Sequence, residues 1–259
     1  MLLSTAALML LFLGSMSAYY NVTYLNTTLI LNKNQSAQVI ENIGIYVSNA
    51  SVSQYIASRG AFGLGLADWQ RLISSTEIVE HIVNAGHSPY DFKFLPGPLS
   101  NIGNGGYAIL TMNYYVNNVT TVKNIAPRKF EYTFNNSVFN FENTASGQVL
   151  PANTKLNLIT PAGAHAVSLY PLPDSPPPNF LGNYTNATEF SWYTEEPLSK
   201  FSFSYIVSES LQDEVVAYFS RLYDAYSGQM YAILIIAVVL ILVYLYLKSG
   251  SGSVFEARR

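Results

Sequence analysis

Residues 230–247 read MYAILIIAVVLILVYLYL, an apolar run without a charge, a glycine or a proline. Because an α-helix rises 1.5 Å per residue, roughly 18 to 20 such residues cross a hydrocarbon core of about 30 Å. Tyr231, Tyr244 and Tyr246 lie near the ends of the run, where tyrosine rings favour the headgroup layer. The run therefore predicts one transmembrane helix over residues 229–247, and a helix buried in a globular core is the weaker interpretation.

A shorter apolar run, residues 6–13, opens the chain. Ser15, Ser17 and Ala18 follow it and supply the small side chains that a signal peptidase requires. We therefore predict a signal peptide over residues 1–18, which leaves Tyr19 as the first mature residue. No Lys or Arg precedes the apolar run, so an uncleaved N-terminal anchor remains the alternative.

The charges on the two sides of the transmembrane run differ in sign. Lys248, Arg258 and Arg259 follow it with a single acid, Glu256, whereas residues 19–229 hold ten Lys and Arg against fifteen Asp and Glu. Since positive charge in short flanking segments favours the cytoplasm, residues 248–259 are predicted to be a cytoplasmic tail. The chain is then a single-pass type I protein of the cell membrane with an extracellular domain. The net negative charge of that domain disfavours nucleic acid as a partner.

The extracellular part combines an absence of cysteine with many Asn-x-Ser/Thr sequences. Without disulfides, its core must be stabilised by packing alone. Eight asparagines are glycosylation candidates, unless a surface rich in Asn, Ser and Thr has produced these sequences by composition. They are Asn21, Asn26, Asn34, Asn49, Asn118, Asn135, Asn183 and Asn186.

Most of the extracellular part has the alternation that is typical of strands. Residues 22–31, 38–47, 107–116 and 129–141 predict strands in an N-terminal α+β part over residues 19–149. Shorter strands are expected at 155–159, 166–170, 187–193 and 200–207, in a distal β-rich part over residues 150–207. The fold class predicted is α+β, dominated by a β-sandwich, with one or two inserted helices.

Helical spacing occurs in three segments. Residues 53–59 predict a short helix, and Trp69, Leu72, Ile73, Ile78, Val79, Ile82 and Val83 predict a longer one from Asp68 to Gly86. Residues 208–228 predict a juxtamembrane helix. An apolar stripe marks one side of it: Val207, Leu211, Val215, Tyr218, Leu222 and Tyr226. The stripe must cover the domain's own sheet, the same helix in a second copy, or another membrane subunit.

Three stretches of the last third carry a recognisable pattern: residues 150–156 (LPANTKL), 191–193 (SWY) and 197–205 (PLSKFSFSY). Over residues 150–247 the chain resembles a group of uncharacterised archaeal membrane proteins, in which an extracellular β-rich domain precedes one or a few transmembrane helices. The resemblance implies this architecture and location, and it implies no activity.

No sequence motif for catalysis, a cofactor or a metal is present, so we expect no catalytic, cofactor-binding or metal-binding residues. Glu77, Glu80 and His81 are close in sequence, but a solvated helix face is the preferred interpretation. His87 and His165 are placed in loops, and Glu195 with Glu196 in a solvated turn.

Aromatic side chains leave two interpretations open. Tyr19, Tyr20, Tyr24, Tyr114 and Tyr115, with Trp69 and Trp192, form either a cysteine-free core or a surface on which sugars stack. The function expected is therefore that of a noncatalytic cell-surface protein. It would be an interaction or accessory subunit that meets a protein partner, or a second copy, through its juxtamembrane and transmembrane helices. A carbohydrate-binding or adhesion protein is the alternative, and an extracytoplasmic hydrolase the third possibility.

Overall fold

The computed structural model describes residues 19–145, 147–175, 184–193, 197–212, 215–216, 218–221, 223–225 and 238–242, of which residues 101 and 102 are described by their backbone. The chain forms two compact units, the first ending at Ser208 and the second beginning at Glu209. Within the described ranges, the first unit contains all of the strands. In the second unit, the described residues that follow Ser210 are helical. The predicted signal peptide (1–18) and most of the predicted transmembrane run lie outside the described residues.

The first unit is rich in β-structure, as expected for a β-rich α+β fold. Its strands are β1 (Tyr20–Leu31), β2 (Ala37–Ser48), β3 (Tyr90–Pro96), β4 (Ser100–Ile102), β5 (Gly105–Val116), β6 (Thr120–Ala126), β7 (Lys129–Phe134), β8 (Glu142–Thr144), β9 (Gly147–Val149), β10 (Thr154–Ile159), β11 (Ala164–Tyr170), β12 (Glu189–Tyr193) and β13 (Ser202–Ser208). Two helices, α1 (Val52–Gly60) and α2 (Leu66–Ile73), lie between β2 and β3.

The strands form two main sheets and a separate hairpin. The larger sheet has the order β12-β10-β1-β2-β5-β3, with β4 also paired to β5, and the smaller has the order β11-β13-β7-β6. β8 and β9 form the hairpin. β1 runs parallel to β10, with Leu25 opposite Thr154 and Ile30 opposite Ile159. The other strand pairs are antiparallel.

Both sheets contribute to one hydrophobic core. In β2, alternate residues from Val39 to Val47 point inward and are buried, as the period of a strand requires. The rings of Phe190 on β12 and Phe203 on β13 lie 5.1 Å apart at their centroids, so the core is continuous between the larger and the smaller sheet. Fully burying each such aromatic side chain contributes about 1.5 to 3 kcal/mol, and this packing replaces disulfides in a chain without cysteine.

Most strands predicted from the sequence pattern are present in the structure, but the long helix predicted over residues 68–86 is not. The helix expected over residues 68–86 ends at Ile73, because Ser74 adopts a left-handed conformation with φ of 54°. Ile78 and Ile82 are fully buried, but in a segment without regular helix. The strand expected over residues 129–141 ends at Phe134, while β3 and β6 had not been expected.

The boundary expected at residue 150 does not divide the fold. β10, from the distal part, pairs directly with β1 from the N-terminal part, and β13 pairs with β7. Val207 also differs from expectation: it lies in β13 and is buried, so it belongs to the core and not to the apolar stripe. No helix within the described ranges combines the length and apolar composition that a membrane-spanning helix needs.

Candidate functional site

A buried polar network lies at the centre of the larger sheet. Glu41 is on β2, Tyr114 is on the neighbouring strand β5, and His81 is in the irregular segment that follows α2. The Glu41 carboxylate accepts hydrogen bonds from the His81 backbone N–H (2.9 Å), from His81 Nδ1 (2.7 Å) and from the Tyr114 hydroxyl. The Tyr114 oxygen in turn accepts from the Ile82 backbone N–H at 3.3 Å. The two side chains thereby satisfy two backbone donors of a segment whose backbone pairing consists of isolated bridges, such as that between Ile82 and Phe139.

The network is closed to solvent on the sheet side. Glu41 has no exposed surface, and His81 is 5% exposed. Burial and the adjacent Glu41 carboxylate raise the pKa of Tyr114 well above its ordinary value, so its hydroxyl keeps its proton and acts as a donor to Glu41. The His81 ring also stacks on Phe141, with centroids 5.2 Å apart, which fixes its orientation.

His81 reaches a cleft of about 300 Å³. Residues 22–25 of β1, the turn at 151–154, Glu77, His81 and Glu142 line it. The Nδ1 atom of the His81 ring is bonded to Glu41. The Nε2 atom has no hydrogen-bond partner among the described residues. A histidine with a fixed ring and two carboxylates therefore border one cleft.

A β-bulge shapes the wall of this cleft. The register between β1 and β2 shifts between Val22 and Tyr24, which leaves Thr23 as the extra residue. The Tyr24 ring occupies the space that a side chain at Gly44 would fill, since a Cβ added there would overlap the ring. The Thr23 hydroxyl oxygen is buried and has no partner within the described ranges.

The structure corrects the interpretation of the acidic segment near His81. Glu77 is exposed and Glu80 half-buried, but His81 is buried and bonded to Glu41, so these residues do not form a solvated helix face. His87 is exposed in a loop, as expected. His165 was also expected in a loop, but it lies in β11 opposite Ile206, and its Nδ1 is 3.0 Å from the Asn186 side-chain oxygen on the surface. Glu195 and Glu196 lie outside the described residues. Among the residues described, no three potential ligands are close enough to hold a metal ion.

The aromatic residues separate into a core set and a surface set. Trp69, Trp192 and Tyr114 are buried, whereas Tyr19 is half exposed and Tyr20, Tyr24 and Tyr115 are half-buried. On the surface, Tyr46 lies between Tyr19 and Tyr107, with ring centroids 5.8 and 5.3 Å away. This row of three tyrosines joins β2 to the beginning of β5, and only Tyr19 of the three had been singled out in the sequence.

The glycosylation candidates differ in exposure. Asn21, Asn34, Asn49, Asn118 and Asn186 are exposed, Asn26 and Asn135 are half-buried, and Asn183 lies outside the described residues. The Asn34 and Asn135 side chains also accept hydrogen bonds from the backbone N–H two residues further on, at 3.2 and 3.1 Å. Both side chains therefore stabilise their own turns.

The apolar stripe is wider than the sequence suggested. Leu211, Val215 and Tyr218 are helical and 62%, 44% and 61% exposed, while Leu222 and Tyr226 lie outside the described residues. Val216, Phe219 and Tyr223 form a second exposed apolar row with the same spacing. Helical spacing was the available signal for both rows, but only one had been recognised.

Comparison of the chain with protein-family models and with curated proteins finds no significant match.

Proposed function

We propose that the chain is a noncatalytic cell-surface protein, anchored by residues 229–247, which acts as an interaction or accessory subunit of a membrane or cell-envelope complex. Residues 19–208 lie outside the cell in this proposal, as a domain with β-sandwich architecture, and residues 248–259 lie in the cytoplasm. The apolar run and the charges on its two sides support the anchor and its orientation. The shared core of the two sheets supports the sandwich.

The interaction function rests on one observation. Large apolar side chains are exposed on the helical residues that follow the β-domain (residues 19–208) and precede the apolar run. Leu211, Val215 and Tyr218 lie on one side of this helical segment, with Val216 and Phe219 beside them. Exposed apolar surface of this kind marks a protein or membrane contact in most soluble domains. The partner is a membrane subunit that buries the stripe against an apolar segment of its own.

Photo-crosslinking in native membranes tests this proposal. A photoreactive residue at Tyr218 should give a defined crosslinked product, and the same residue at Asp224 should not, because 100° per residue places Asp224 on the other side of the helix. A product at twice the mass of the chain would identify a second copy as the partner. Recovery of the monomer alone from both positions would refute the interaction. Release of the chain by an alkaline wash would refute the anchor.

A carbohydrate-binding or adhesion function is the second candidate. The row formed by Tyr19, Tyr46 and Tyr107 supports it, because tyrosine rings pack on the apolar faces of sugars while their hydroxyls remain hydrated. Binding on a glycan array that is lost in Tyr107→Ala but kept in Tyr90→Ala would favour this function. Tyr90 is a suitable control because it is also exposed but stacks on Tyr115 elsewhere on β5.

The cleft beside His81 gives some support to a third function, an extracytoplasmic hydrolase. A fixed histidine near carboxylates is one requirement for such chemistry. A nucleophile within hydrogen-bond reach of the base is another, and no hydrogen bond joins the His81 ring to a hydroxyl among the described residues. The arrangement therefore favours binding over hydrolysis.

A further inference from the structure

Three threonine side chains of the β-domain hold a buried hydroxyl oxygen that has no hydrogen-bond partner among the described residues. They are Thr23, Thr27 and Thr120. An unpaired buried hydroxyl group costs free energy, and valine offers the same branched shape and strand propensity without that cost. The folded domain therefore gives no reason for threonine at these three positions.

Two of the three threonines are the last residue of an Asn-x-Thr sequence. Thr23 follows Asn21 by two residues, and Thr120 follows Asn118 by two residues. A hydroxyl group at this third position is what N-glycosylation requires of its acceptor sequence. Modification of the chain thus supplies a reason for both threonines that the folded domain does not.

The other described Asn-x-Ser/Thr sequences have hydroxyl groups for which the fold accounts. Ser36 and Ser137 each donate a hydrogen bond to the side-chain oxygen of the asparagine two residues earlier, at 2.7 and 2.8 Å. The remaining three are bonded to a neighbouring side chain or exposed to solvent: Thr28, Ser51 and Thr188. The unpaired buried hydroxyl groups therefore single out Asn21 and Asn118.

The side chains of Asn21 and Asn118 are available for modification. Asn21 is the second residue of β1, and Asn118 lies in the turn between β5 and β6. Both residues are exposed, and neither side chain bonds to a described residue. The left-handed backbone of Asn118, with φ of 56°, explains the asparagine at this position but does not explain Thr120. Either asparagine can carry a sugar without disturbing the core.

We infer that Asn21 and Asn118 carry N-linked glycans, which are attached before the domain folds. The Nδ2 atom of the asparagine forms a bond to the anomeric carbon of an oligosaccharide that is linked to a lipid phosphate. The bond from that carbon to the phosphate oxygen breaks, and the lipid phosphate leaves with one proton from the amide. An enzyme cannot reach a buried hydroxyl group, so the transfer precedes the burial of Thr23 and Thr120. The inference rests on the extracellular location proposed above for residues 19–208.

Mass spectrometry of peptides from the full chain, extracted from native membranes, tests the inference. The peptides that contain Asn21 and Asn118 should each carry the additional mass of an oligosaccharide. Protease added to intact cells tests the location separately, because it digests an extracellular domain and does not reach an intracellular one.

Substitution of the third residue separates modification from structure. Thr120→Val should abolish the additional mass at Asn118, and Thr120→Ser should keep it. Thr27→Val is the matched control and should leave both glycans in place. The Thr27 hydroxyl is also buried and unpaired among the described residues, but Thr27 is the middle residue of the sequence Asn26-Thr27-Thr28.

Unfolding by urea supplies a second measurement, on the full chain made in cells without the glycosylation enzyme. The midpoint of Thr120→Val should equal or exceed that of the wild type, because the hydroxyl group stabilises nothing in the folded domain. A hydroxyl group with a structural role would lower the midpoint of this variant.

Three results would overturn the inference. The first is an unmodified Asn21 or Asn118 in a chain that external protease digests, which would leave the proposed location intact. The second is a glycan at Asn118 that persists in Thr120→Val. The third is a lower urea midpoint for Thr120→Val without glycans. Resistance of the domain to external protease would instead refute the proposed location, and the inference with it.

Discussion

The carboxylate of Glu41 and the imidazole of His81 lie 2.7 Å apart, although 40 residues separate them in the sequence. Glu41 is in the middle of β2, facing the core, and His81 belongs to the irregular segment after α2. The contact joins that segment to the larger sheet, while the backbone of the segment is bridged to Phe139 through Ile82. It also fixes the ring that borders the cleft, so one side chain determines both local structure and the geometry of the candidate site.

Replacing Glu41 should be strongly destabilising. Glu41→Ala leaves the His81 N–H, His81 Nδ1 and the Tyr114 hydroxyl without their acceptor, in a place that water does not reach. Breaking a buried charged interaction from one side costs about 3 to 5 kcal/mol. Urea denaturation should report this loss in the free energy of unfolding. The control is Glu131→Ala on the smaller sheet, for which the change should stay within about 0.5 kcal/mol; an equal loss in both variants would contradict the role given to Glu41.

Two buried tyrosines should respond oppositely to the loss of their hydroxyl groups. The Tyr205 hydroxyl is buried and has no hydrogen-bond partner among the described residues, so Tyr205→Phe should raise the free energy of unfolding by about 1 kcal/mol. The Tyr55 hydroxyl donates to the Gly97 carbonyl at 2.7 Å, so Tyr55→Phe should lower it by about 1 kcal/mol. Thermal and urea unfolding of the pair measure both signs under identical conditions. A loss of stability in Tyr205→Phe would show that its hydroxyl has a partner after all.

The fold should lose stability at alkaline pH. Burial raises the pKa of Tyr55 to about 12, and burial with the nearby Glu41 raises that of Tyr114 well above its usual range. In the unfolded chain both titrate near pH 10. Below pH ~10 both states are protonated and stability is unaffected. Between about pH 10 and 12 the unfolded state binds fewer protons than the native state, so stability falls as pH rises.

Urea midpoints at pH 8, 10 and 11, with tyrosinate absorbance recorded in parallel, check this expectation. Tyr55 and Tyr114 should ionise only on unfolding. Tyr55→Phe should make the decline with pH shallower. A midpoint that stays constant up to pH 11 would contradict the raised pKa values.

The strands were predictable from sequence because burial on one face of a sheet imposes a period of two. Val39, Ile43 and Val47 show this period in β2, and Glu41 occupies the same inward-facing row. A carboxylate in that row was a readable sign of a buried polar network, and it was missed. Its partner was not predictable, because nothing in the local sequence indicates which distant histidine reaches Glu41.

The failed helix has a different cause. Ile78 and Ile82 have helical spacing, but each is buried through contacts of an irregular segment whose N–H groups bond to side chains of the sheet. Periodicity reports which residues are buried and not how their backbone is paired. A local sequence pattern therefore cannot predict tertiary hydrogen bonds of this kind.

Gly44 should be intolerant of any side chain while Tyr24 is present. A Cβ at Gly44 would overlap the Tyr24 ring, so Gly44→Ala must displace that ring or the strand and should cost about 1 to 3 kcal/mol. Adding Tyr24→Ala removes the clash, and the double variant should lose less stability than the sum of the two single variants. Gly60→Ala is the control, because an added Cβ there meets nothing within 4 Å. Additive losses in the double variant would show that the ring does not occupy this space.

The β-domain should fold without the residues that follow β13. Its buried hydrophobic residues extend from Leu25 to Val207, so residues 19–208 contain the whole described core. This fragment should unfold in a single cooperative transition with the urea midpoint of the intact chain. A fragment that ends at residue 200 should not fold, because β13 lies between β11 and β7 and buries Phe203, Tyr205 and Val207. Circular dichroism and urea titration of the two fragments distinguish these outcomes. If the longer fragment were unfolded, residues after Ser208 would be required for the domain, and the apolar stripe would have to be assigned to folding instead of a partner.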